Sequence, residues 1–148
     1  MAEISSSTQV TGHCLCGAVR FSATLHDREF GACHCGICRR WTAGVFLAVE
    51  CSGLTVEDET NLGVYRSSEW AERGFCKACG TALFYRLREG EFGAVSLEAL
   101  DDREGFAFTG QVFIDEKPAY YDFANATKNM TGAEVFAAFG ASEGNSAS

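Results

Sequence analysis

The 148-residue sequence lacks any apolar run that approaches the roughly 20 residues needed to cross a bilayer. Residues 1–10 also lack the basic segment followed by an apolar stretch that marks a secretory signal. These two absences predict a cytoplasmic protein that does not bind membranes.

Positive charge is scarce as well. The chain carries 12 Lys and Arg residues against 20 Asp and Glu residues, which gives a formal net charge of -8. Proteins that bind nucleic acid depend on Lys and Arg to neutralise phosphates. The charge balance therefore argues against a nucleic-acid partner.

What the sequence does contain suits one mainly β domain. Val19, Phe21 and Ala23 alternate with Arg20 and Ser22, as expected of a half-buried strand. Similar β-branched and aromatic runs predict further strands over residues 44–50, 54–57, 81–86, 92–96 and 106–113. The length fits a single domain, which we expect to span residues 9–140. The small, polar ends, residues 1–8 and 141–148, are expected to be disordered.

One short C-terminal helix is predicted by a capping box. Thr131 and Glu134 have the required spacing, and Gly140 is a suitable stop. The apolar stripe between these signals consists of Val135, Phe136 and Phe139. A shorter helical turn is expected to begin near Cys35.

Seven of the eight cysteines lie in three clusters: Cys14-Leu-Cys16, Cys33-His-Cys35-Gly-Ile-Cys38 and Cys76-Lys-Ala-Cys79. Because the cytosol keeps thiols reduced, this spacing favours metal binding over disulfides. Zinc takes thiolate ligands at about 2.3 Å in tetrahedral geometry. A Cys-x-x-Cys turn and an extended Cys-x-Cys segment can each point two sulfurs at one ion.

Seven ligands divide into four and three, which predicts two zinc ions per chain. Four thiolates make a closed structural site, whereas three leave a coordination position for water or substrate. Spacing alone does not decide which clusters pair. In the simplest division, the middle cluster holds one metal by itself and the two outer pairs close the other site.

Three segments have a familiar order and spacing: 14–21 around the first cysteine pair, 33–40 around the middle cluster and 75–83 around the last pair. Segments 95–102 and 113–118 add less specific similarity. With these motifs the sequence resembles the glutathione-dependent formaldehyde-activating family. The resemblance implies an antiparallel, β-rich, zinc-binding fold similar to that of Mss4.

The resemblance also implies a function and a ligand assignment. The activity would be that of a carbon–sulfur lyase of the S-(hydroxymethyl)glutathione synthase type, which joins glutathione or a related thiol to formaldehyde or another small aldehyde. The implied ligands are Cys14, Cys16, Cys76 and Cys79 for the structural zinc, and Cys33, Cys35 and Cys38 for the catalytic zinc.

Several residues near the clusters have two interpretations each. Cys51, the eighth cysteine, is either a buried core thiol or a fourth ligand that closes the middle site. His34 is either a general base or a hydrogen-bond donor to a metal ligand, or else a structural histidine that faces outward or is hydrogen-bonded. Tyr120, Tyr121 and Phe123 are expected to pack over the domain.

Arg39 and Arg40 follow the middle cluster and are the predicted substrate-binding residues. They either clamp a glutathione carboxylate, or pair with nearby acidic residues, or compensate the negative charge of the thiolates. Arg73 and Lys128 are weaker candidates for an anion anchor.

Three other functions use the same cysteines. A non-enzymatic thiol carrier would bind glutathione without accelerating a reaction. A zinc-stabilised interaction module would need the middle site closed, for instance by Cys51. A redox sensor would oxidise Cys35 and Cys38 to a disulfide. The enzyme is the preferred interpretation and the carrier comes second.

Overall fold

The computed structural model describes residues 7–138. The predicted tails lie outside this range except for Ser7 and Thr8, and Thr8 is the first residue of a strand. The described chain forms two compact units, residues 7–28 with 49–106 and residues 29–48 with 107–138. A single domain over 9–140 stays a prediction. Within the described part of the chain, no helix has both the length and the apolar character that crossing a bilayer requires.

The mainly β class is confirmed, with ten strands and two short helices in the described chain. The strands are β1 (Thr8–His13), β2 (Arg20–Leu25), β3 (Glu29–Cys33), β4 (Phe46–Val56), β5 (Leu62–Arg66), β6 (Ala71–Cys76), β7 (Ala82–Leu87), β8 (Gly93–Ser96), β9 (Ala107–Val112) and β10 (Lys128–Met130). The helices are α1 (Gly36–Thr42) and α2 (Gly132–Ala138). Short 3-10 turns occupy Glu59–Asn61, Leu97–Ala99 and Ile114–Glu116.

The first unit is a sheet with strand order β1-β2-β4-β8-β7-β6-β5, to which β4 contributes from Val49 onward. The pairs β1–β2, β2–β4, β5–β6, β6–β7 and β7–β8 are antiparallel, as predicted. The alternation predicted for β2 is confirmed, because Phe21 and Ala23 are fully buried. Phe84 and Val95 are also fully buried in the core of this unit.

Strand β4 corrects the prediction of two separate strands over 44–50 and 54–57. It is continuous across Gly53, whose φ of +60° is in the left-handed region. The register against β2 shifts at this point, between the pairs Ser22–Thr55 and Thr24–Ser52. A glycine in this conformation produces a bulge rather than the end of a strand.

The second unit contains β3, α1, the first residues of β4, β9, β10 and α2. Strand β3 pairs antiparallel with β4, placing Cys33 opposite Phe46. It pairs in parallel with β9, placing Cys33 opposite Val112, and β9 pairs in parallel with β10. These two parallel pairs depart from the antiparallel fold that the resemblance implied.

Both predicted helices are present. Cys35 is the N-cap of α1, and the C-cap that follows Thr42 is Ala43, whose backbone is in the left-handed region. The capping box of α2 is complete, since the Thr131 N–H donates to Glu134 Oε1 at 2.8 Å and the Glu134 N–H donates to Thr131 Oγ1 at 3.2 Å. Phe136 packs edge-on against Phe113 at a ring separation of 5.7 Å. The predicted Phe139 and Gly140 positions lie outside the described residues.

Gly74 in β6 gives a test of the packing in the first unit. A Cβ at this position would lie 2.3 Å from Cζ of Phe84, which is fully buried and therefore unable to move aside. We expect Gly74→Ala to lower the free energy of unfolding by about 1–3 kcal/mol, the usual cost of overpacking a core. Urea unfolding measures the change. Gly44→Ala is the control, because no atom lies within 4 Å of its added Cβ; equal stability losses in the two variants would contradict the packing described here.

Candidate metal centres

Two hairpin turns of the first unit supply the first cysteine cluster. In the β1–β2 turn, the Cys14 N–H donates to the Val19 carbonyl at 3.1 Å. In the β6–β7 turn, the Cys76 N–H donates to the Thr81 carbonyl at 3.0 Å. The Leu15 N–H donates to Thr81 Oγ1 at 3.0 Å and so joins the two turns directly.

Glycine is required once in each turn. Gly17 and Gly80 both have φ of +83°, a left-handed conformation that other residues rarely adopt. Gly36, which occupies the corresponding place in the middle cluster, is instead the first residue of α1 and does not have positive φ.

The four sulfurs of this cluster have the spacing of a tetrahedral thiolate site. The Sγ atoms of Cys14, Cys16, Cys76 and Cys79 all lie within 4.8 Å of one another. The Cys14–Cys16 separation is 3.7 Å and the Cys16–Cys76 separation is 3.9 Å. Four ligands about 2.3 Å from a tetrahedral ion would be about 3.8 Å apart. The donor set therefore fits a metal ion such as zinc.

Backbone N–H groups point at these sulfurs. Val19 donates to Cys14 Sγ at 3.3 Å, and Ala78 and Cys79 donate to Cys76 Sγ at 3.3 and 3.4 Å. Such hydrogen bonds favour the thiolate, which is the form that binds metal. Burial opposes this effect at Cys14, but the Val19 N–H and the thiols of Cys76 and Cys16 hold the pKa of Cys14 below its ordinary value.

Thr81 has a similar effect on Cys79. Its hydroxyl lies 3.2 Å from Cys79 Sγ. This contact, followed by the backbone contact to the same residue, lowers the pKa of Cys79 to about 5. The hydrogen bonds to Cys14 and Cys79 therefore favour the thiolate form of these two ligands, whereas at Cys16, despite the backbone contact with Ala18, the neighbouring thiols raise the pKa to about 11.

The second cluster forms within one segment of the second unit. Cys33 ends β3, Cys35 caps α1 and Cys38 lies in the first turn of that helix. Their three Sγ atoms lie within 4.8 Å of one another, and the Cys38 N–H donates to Cys35 Sγ at 3.3 Å. The Cys35 and Cys38 thiols, and then burial, raise the pKa of Cys33. Because three adjacent thiolates repel one another, a bound cation is what would allow all three to ionise.

Cys51 belongs to neither cluster among residues 7–138. It is buried in β4, where its Sγ would lie 3.5 Å from a Cβ added at Gly93. Burial, together with the charge of Glu50, raises the pKa of Cys51 to about 11. These observations favour the core-thiol interpretation, and they remove the support for an interaction module whose second site is closed by Cys51.

His34 is fully buried and has a hydrogen-bond partner for each polar group. Nδ1 lies 2.7 Å from the Tyr121 hydroxyl and Nε2 lies 2.8 Å from Gln111 Oε1. Its backbone N–H donates to Val112 and its carbonyl accepts from Arg39 Nε. Burial lowers the pKa of His34 below its ordinary value, which favours the neutral imidazole. The hydrogen-bonded structural interpretation therefore fits better than a general base.

The predicted anion anchors have different surroundings. Arg39 is half-buried and donates from Nε to the His34 carbonyl at 2.9 Å. Arg40 is exposed. Neither forms an ion pair with an acidic residue in the described part of the chain. The predicted alternative, in which they pair with nearby Asp or Glu residues, is therefore not supported. Arg73 is buried against the ring of Tyr85, whereas Lys128 is exposed in β10.

The 114–116 turn supports the second cluster in a way that sequence reasoning missed. Glu116 Oε1 accepts the N–H of Gly36, between Cys35 and Cys38, at 2.8 Å. Asp115 Oδ1 accepts the N–H of Gly132 at the start of α2, also at 2.8 Å. Phe113, which precedes the turn, has φ of +57°. A bulky residue rarely adopts this conformation, so no local sequence pattern predicts the turn.

Glu116 and Asp115 form a matched pair for mutation. We expect Glu116→Ala to weaken metal binding at the second cluster about tenfold, because the backbone between two of its cysteines loses a charge-assisted hydrogen bond worth roughly 1.5 kcal/mol. Asp115→Ala removes the equivalent bond at α2 and should leave metal binding unchanged. Competition with a chromophoric chelator measures the affinity, and equal losses in both variants would show that Glu116 has no specific role.

The chain is similar in sequence to known proteins. Residues 9–116 match the family described as glutathione-dependent formaldehyde-activating enzyme. An uncharacterised lyase of Schizosaccharomyces pombe is 39% identical over 126 residues, which cover 84% of this chain and 92% of that protein. A putative glutathione-dependent formaldehyde-activating enzyme of Halomonas elongata is 35% identical over 83 residues, which cover 49% of this chain and 53% of that protein.

A solved structure is also similar. The crystal structure of a Rhodobacter sphaeroides protein superposes with a TM-score of 0.54 at 26% identity and covers 67% of this chain and 99% of its own. The segment that matches the family, residues 9–116, contains every cysteine of both clusters, since it begins before Cys14 and ends after Cys79. The chain is therefore a member of the glutathione-dependent formaldehyde-activating enzyme family.

Proposed function

We propose that the protein is a zinc-dependent carbon–sulfur lyase of the S-(hydroxymethyl)glutathione synthase type. Its substrates are glutathione, or a related thiol, and formaldehyde or another small aldehyde. The division of the cysteines into a cluster of four and a cluster of three carries this proposal. Only the cluster of three leaves a tetrahedral ion with a position for substrate.

The two clusters have different roles in this proposal. Cys14, Cys16, Cys76 and Cys79 hold a structural zinc, and Cys33, Cys35 and Cys38 hold a catalytic zinc. Bound zinc would supply a coordination position at which the pKa of an incoming thiol is lowered. Three thiolate ligands donate strongly to the ion and make it a weak Lewis acid, which favours thiol chemistry over the activation of water.

The reaction is an addition. The glutathione sulfur loses its proton and attacks the aldehyde carbon, so that a carbon–sulfur bond forms. The π electrons of the carbonyl move to its oxygen, which takes up a proton. Atoms and charge balance without an oxidant or reductant, and the reverse reaction releases the aldehyde as a lyase does.

The known relatives support the thiol and the reaction type. The family description names glutathione and formaldehyde, and the S. pombe relative is named a lyase. A chemistry that depends on seven reduced cysteines also suits the cytoplasm, where thiols stay reduced.

Arg39 and Arg40 remain the proposed anchors for a substrate carboxylate. Both lie on α1 directly after the proposed ligand Cys38, and neither has an acidic partner in the described chain. A planar guanidinium can bind a carboxylate through two hydrogen bonds. An exposed guanidinium such as that of Arg40 has no protein hydrogen bonds to break when it exchanges water for a substrate carboxylate, so little free energy is lost.

A thiol carrier is the second candidate. It is favoured by His34, because both ring nitrogens already have partners and the residue is therefore poorly placed to move a proton. The carrier would use the same three cysteines and the same anchors, without any increase in rate.

Cysteine variants should separate the two sites. We expect Cys35→Ser to lose one of two zinc ions and keep its fold, because the cluster of three lies within one short segment. Cys76→Ser should lose its fold as well, because the binding energy of a structural zinc is part of the folding energy. Metal content by atomic emission and melting by circular dichroism measure both effects. If the two variants melt alike, the division into structural and catalytic sites is wrong.

A rate measurement tests the function. Formation of the glutathione–formaldehyde adduct is followed with wild-type protein, with Cys35→Ser and without protein, at matched thiol concentrations. The enzyme predicts a faster approach to the same equilibrium with the wild type alone. Binding of glutathione with no change in rate would instead support the carrier.

A further inference from the structure

The loop that follows the 114–116 turn is folded around the side chain of Lys117. The Lys117 ammonium donates to the Pro118 carbonyl at 3.0 Å and to the Tyr121 carbonyl, and it pairs with Asp122 Oδ1 at 2.7 Å. It also lies 5.2 Å from the centre of the Tyr121 ring. The Lys117 side chain is only 15% exposed, and its contacts hold both the backbone and the ring of Tyr121 in place.

The Tyr121 hydroxyl reaches the buried ring of His34. It lies 2.7 Å from His34 Nδ1, and the centres of the two rings are 5.6 Å apart. The ring of Phe123 packs against both, 6.2 Å from His34 and 6.1 Å from Tyr121. His34 lies between Cys33 and Cys35 in the sequence, so the loop contacts the cluster of three cysteines through this residue.

The partners on the other side of the ring determine which nitrogen of His34 accepts. Gln111 Nε2 donates to Thr127 Oγ1 at 2.9 Å, and the Thr127 hydroxyl donates to Asn129 Oδ1 at 2.7 Å. Gln111 therefore turns its oxygen towards His34 Nε2, which lies 2.8 Å away and must donate, because an amide oxygen only accepts. In the neutral imidazole Nδ1 is then an acceptor, and the Tyr121 hydroxyl is its donor.

The backbone of His34 is held as firmly as its ring. The His34 N–H donates to the Val112 carbonyl at 3.1 Å, and the His34 carbonyl accepts from Arg39 Nε at 2.9 Å. The side chain is fully buried, so it cannot turn towards water instead. These contacts restrict the peptide groups that join His34 to Cys33 and Cys35. The spacing of the two sulfurs therefore depends in part on the partners of the His34 ring.

We propose that Tyr121 is a positioning residue for the metal ion bound by Cys33, Cys35 and Cys38, and that it acts through His34. Without the Tyr121 hydroxyl, Nδ1 is a buried acceptor that has lost its partner, which is costly. The ring and the peptide groups beside it then shift, and the three sulfurs lose their spacing. This inference rests on the proposed function for the catalytic use of the metal, whereas the binding of the metal can be measured by itself.

Tyr121→Phe removes the hydroxyl and keeps the ring. In the zinc-loaded protein we expect it to weaken zinc binding at the cluster of three about tenfold, as is typical when a hydrogen bond that orients a metal site is lost. Competition with a chromophoric chelator measures the release of each zinc, and the step that Cys35→Ser lacks belongs to this cluster. The other step, from the cluster of four, should not change. Tyr120→Phe is the matched control, because it removes a hydroxyl from the neighbouring residue, which is 81% exposed, and should bind zinc as tightly as wild type.

A double-mutant cycle tests whether Tyr121 acts through His34. His34→Phe keeps a buried ring without nitrogens and should itself weaken zinc binding at the cluster of three. Adding Tyr121→Phe to His34→Phe should then change the affinity by less than about twofold, because the hydrogen bond between the two residues is already lost.

Two variants of Gln111 test the other side of the ring. Gln111→Leu removes the acceptor for His34 Nε2 and should weaken zinc binding at the same cluster. Gln111→Glu keeps an oxygen at this position and should restore most of the wild-type affinity. Circular dichroism confirms that each variant is folded.

Equal zinc affinities in Tyr121→Phe and Tyr120→Phe would overturn the proposal. So would an equal weakening of both zinc clusters, or a tenfold effect that persists in the His34→Phe background, because Tyr121 would then not act on this cluster through His34. The rate assay with glutathione is run on the same samples to judge the proposed function separately. The expected affinities without any acceleration by the wild type would support the role of Tyr121 and remove the enzyme. Acceleration that is accompanied by unchanged affinities would keep the enzyme and remove the role of Tyr121.

Discussion

The first unit depends on one constraint: four cysteine sulfurs must lie close enough together to bind a single ion. Cys14 and Cys16 come from one hairpin turn, and Cys76 and Cys79 come from another that is distant in sequence. Turns at the ends of hairpins have little apolar surface of their own to hold them together. The two turns contact each other through Leu15 and Thr81, and backbone N–H groups point at their sulfurs. Both features are expected if a bound ion joins the turns.

The cluster of three depends on its neighbours in a different way. Its cysteines are local, so a bound ion would add little to the folding of distant segments. Its shape instead depends on contacts from elsewhere in the second unit, with Glu116 at the Gly36 N–H and Gln111 and Tyr121 at the His34 ring. A site that is supported in this way can keep one coordination position for substrate without loss of the fold. This difference is the physical basis for proposing one structural and one catalytic centre.

Sequence reasoning recovered the features that are encoded locally. The cysteine spacing predicted metal-binding clusters, and the simplest division of the seven cysteines gave the two groups that the structure brings together. The Thr131–Glu134 capping box predicted α2. The helical turn after Cys35 and the alternation in β2 were predicted for the same reason. In each case the signal itself lies within a few residues, although the cluster of four forms only when two turns distant in sequence come together.

Features that depend on distant pairing were missed. Strand β3 is short and contains Gly31, and it is a strand because it pairs with β4 on one side and with β9 on the other. The glycine at position 53 indicated a break, but pairing with β2 on both sides makes it a bulge. The partners of His34 and the role of Glu116 follow from the same long-range packing. No periodicity in one sequence reports which side chains such pairing brings together.

In the proposed protein, four thiolates close one zinc site and three thiolates leave the other open. X-ray absorption at the zinc edge on the two-zinc protein measures the mean number of sulfur ligands per ion. We expect a value midway between three and four, which rises towards four when glutathione is added. A value of four before any thiol is added, unchanged by glutathione, would contradict the existence of an open site.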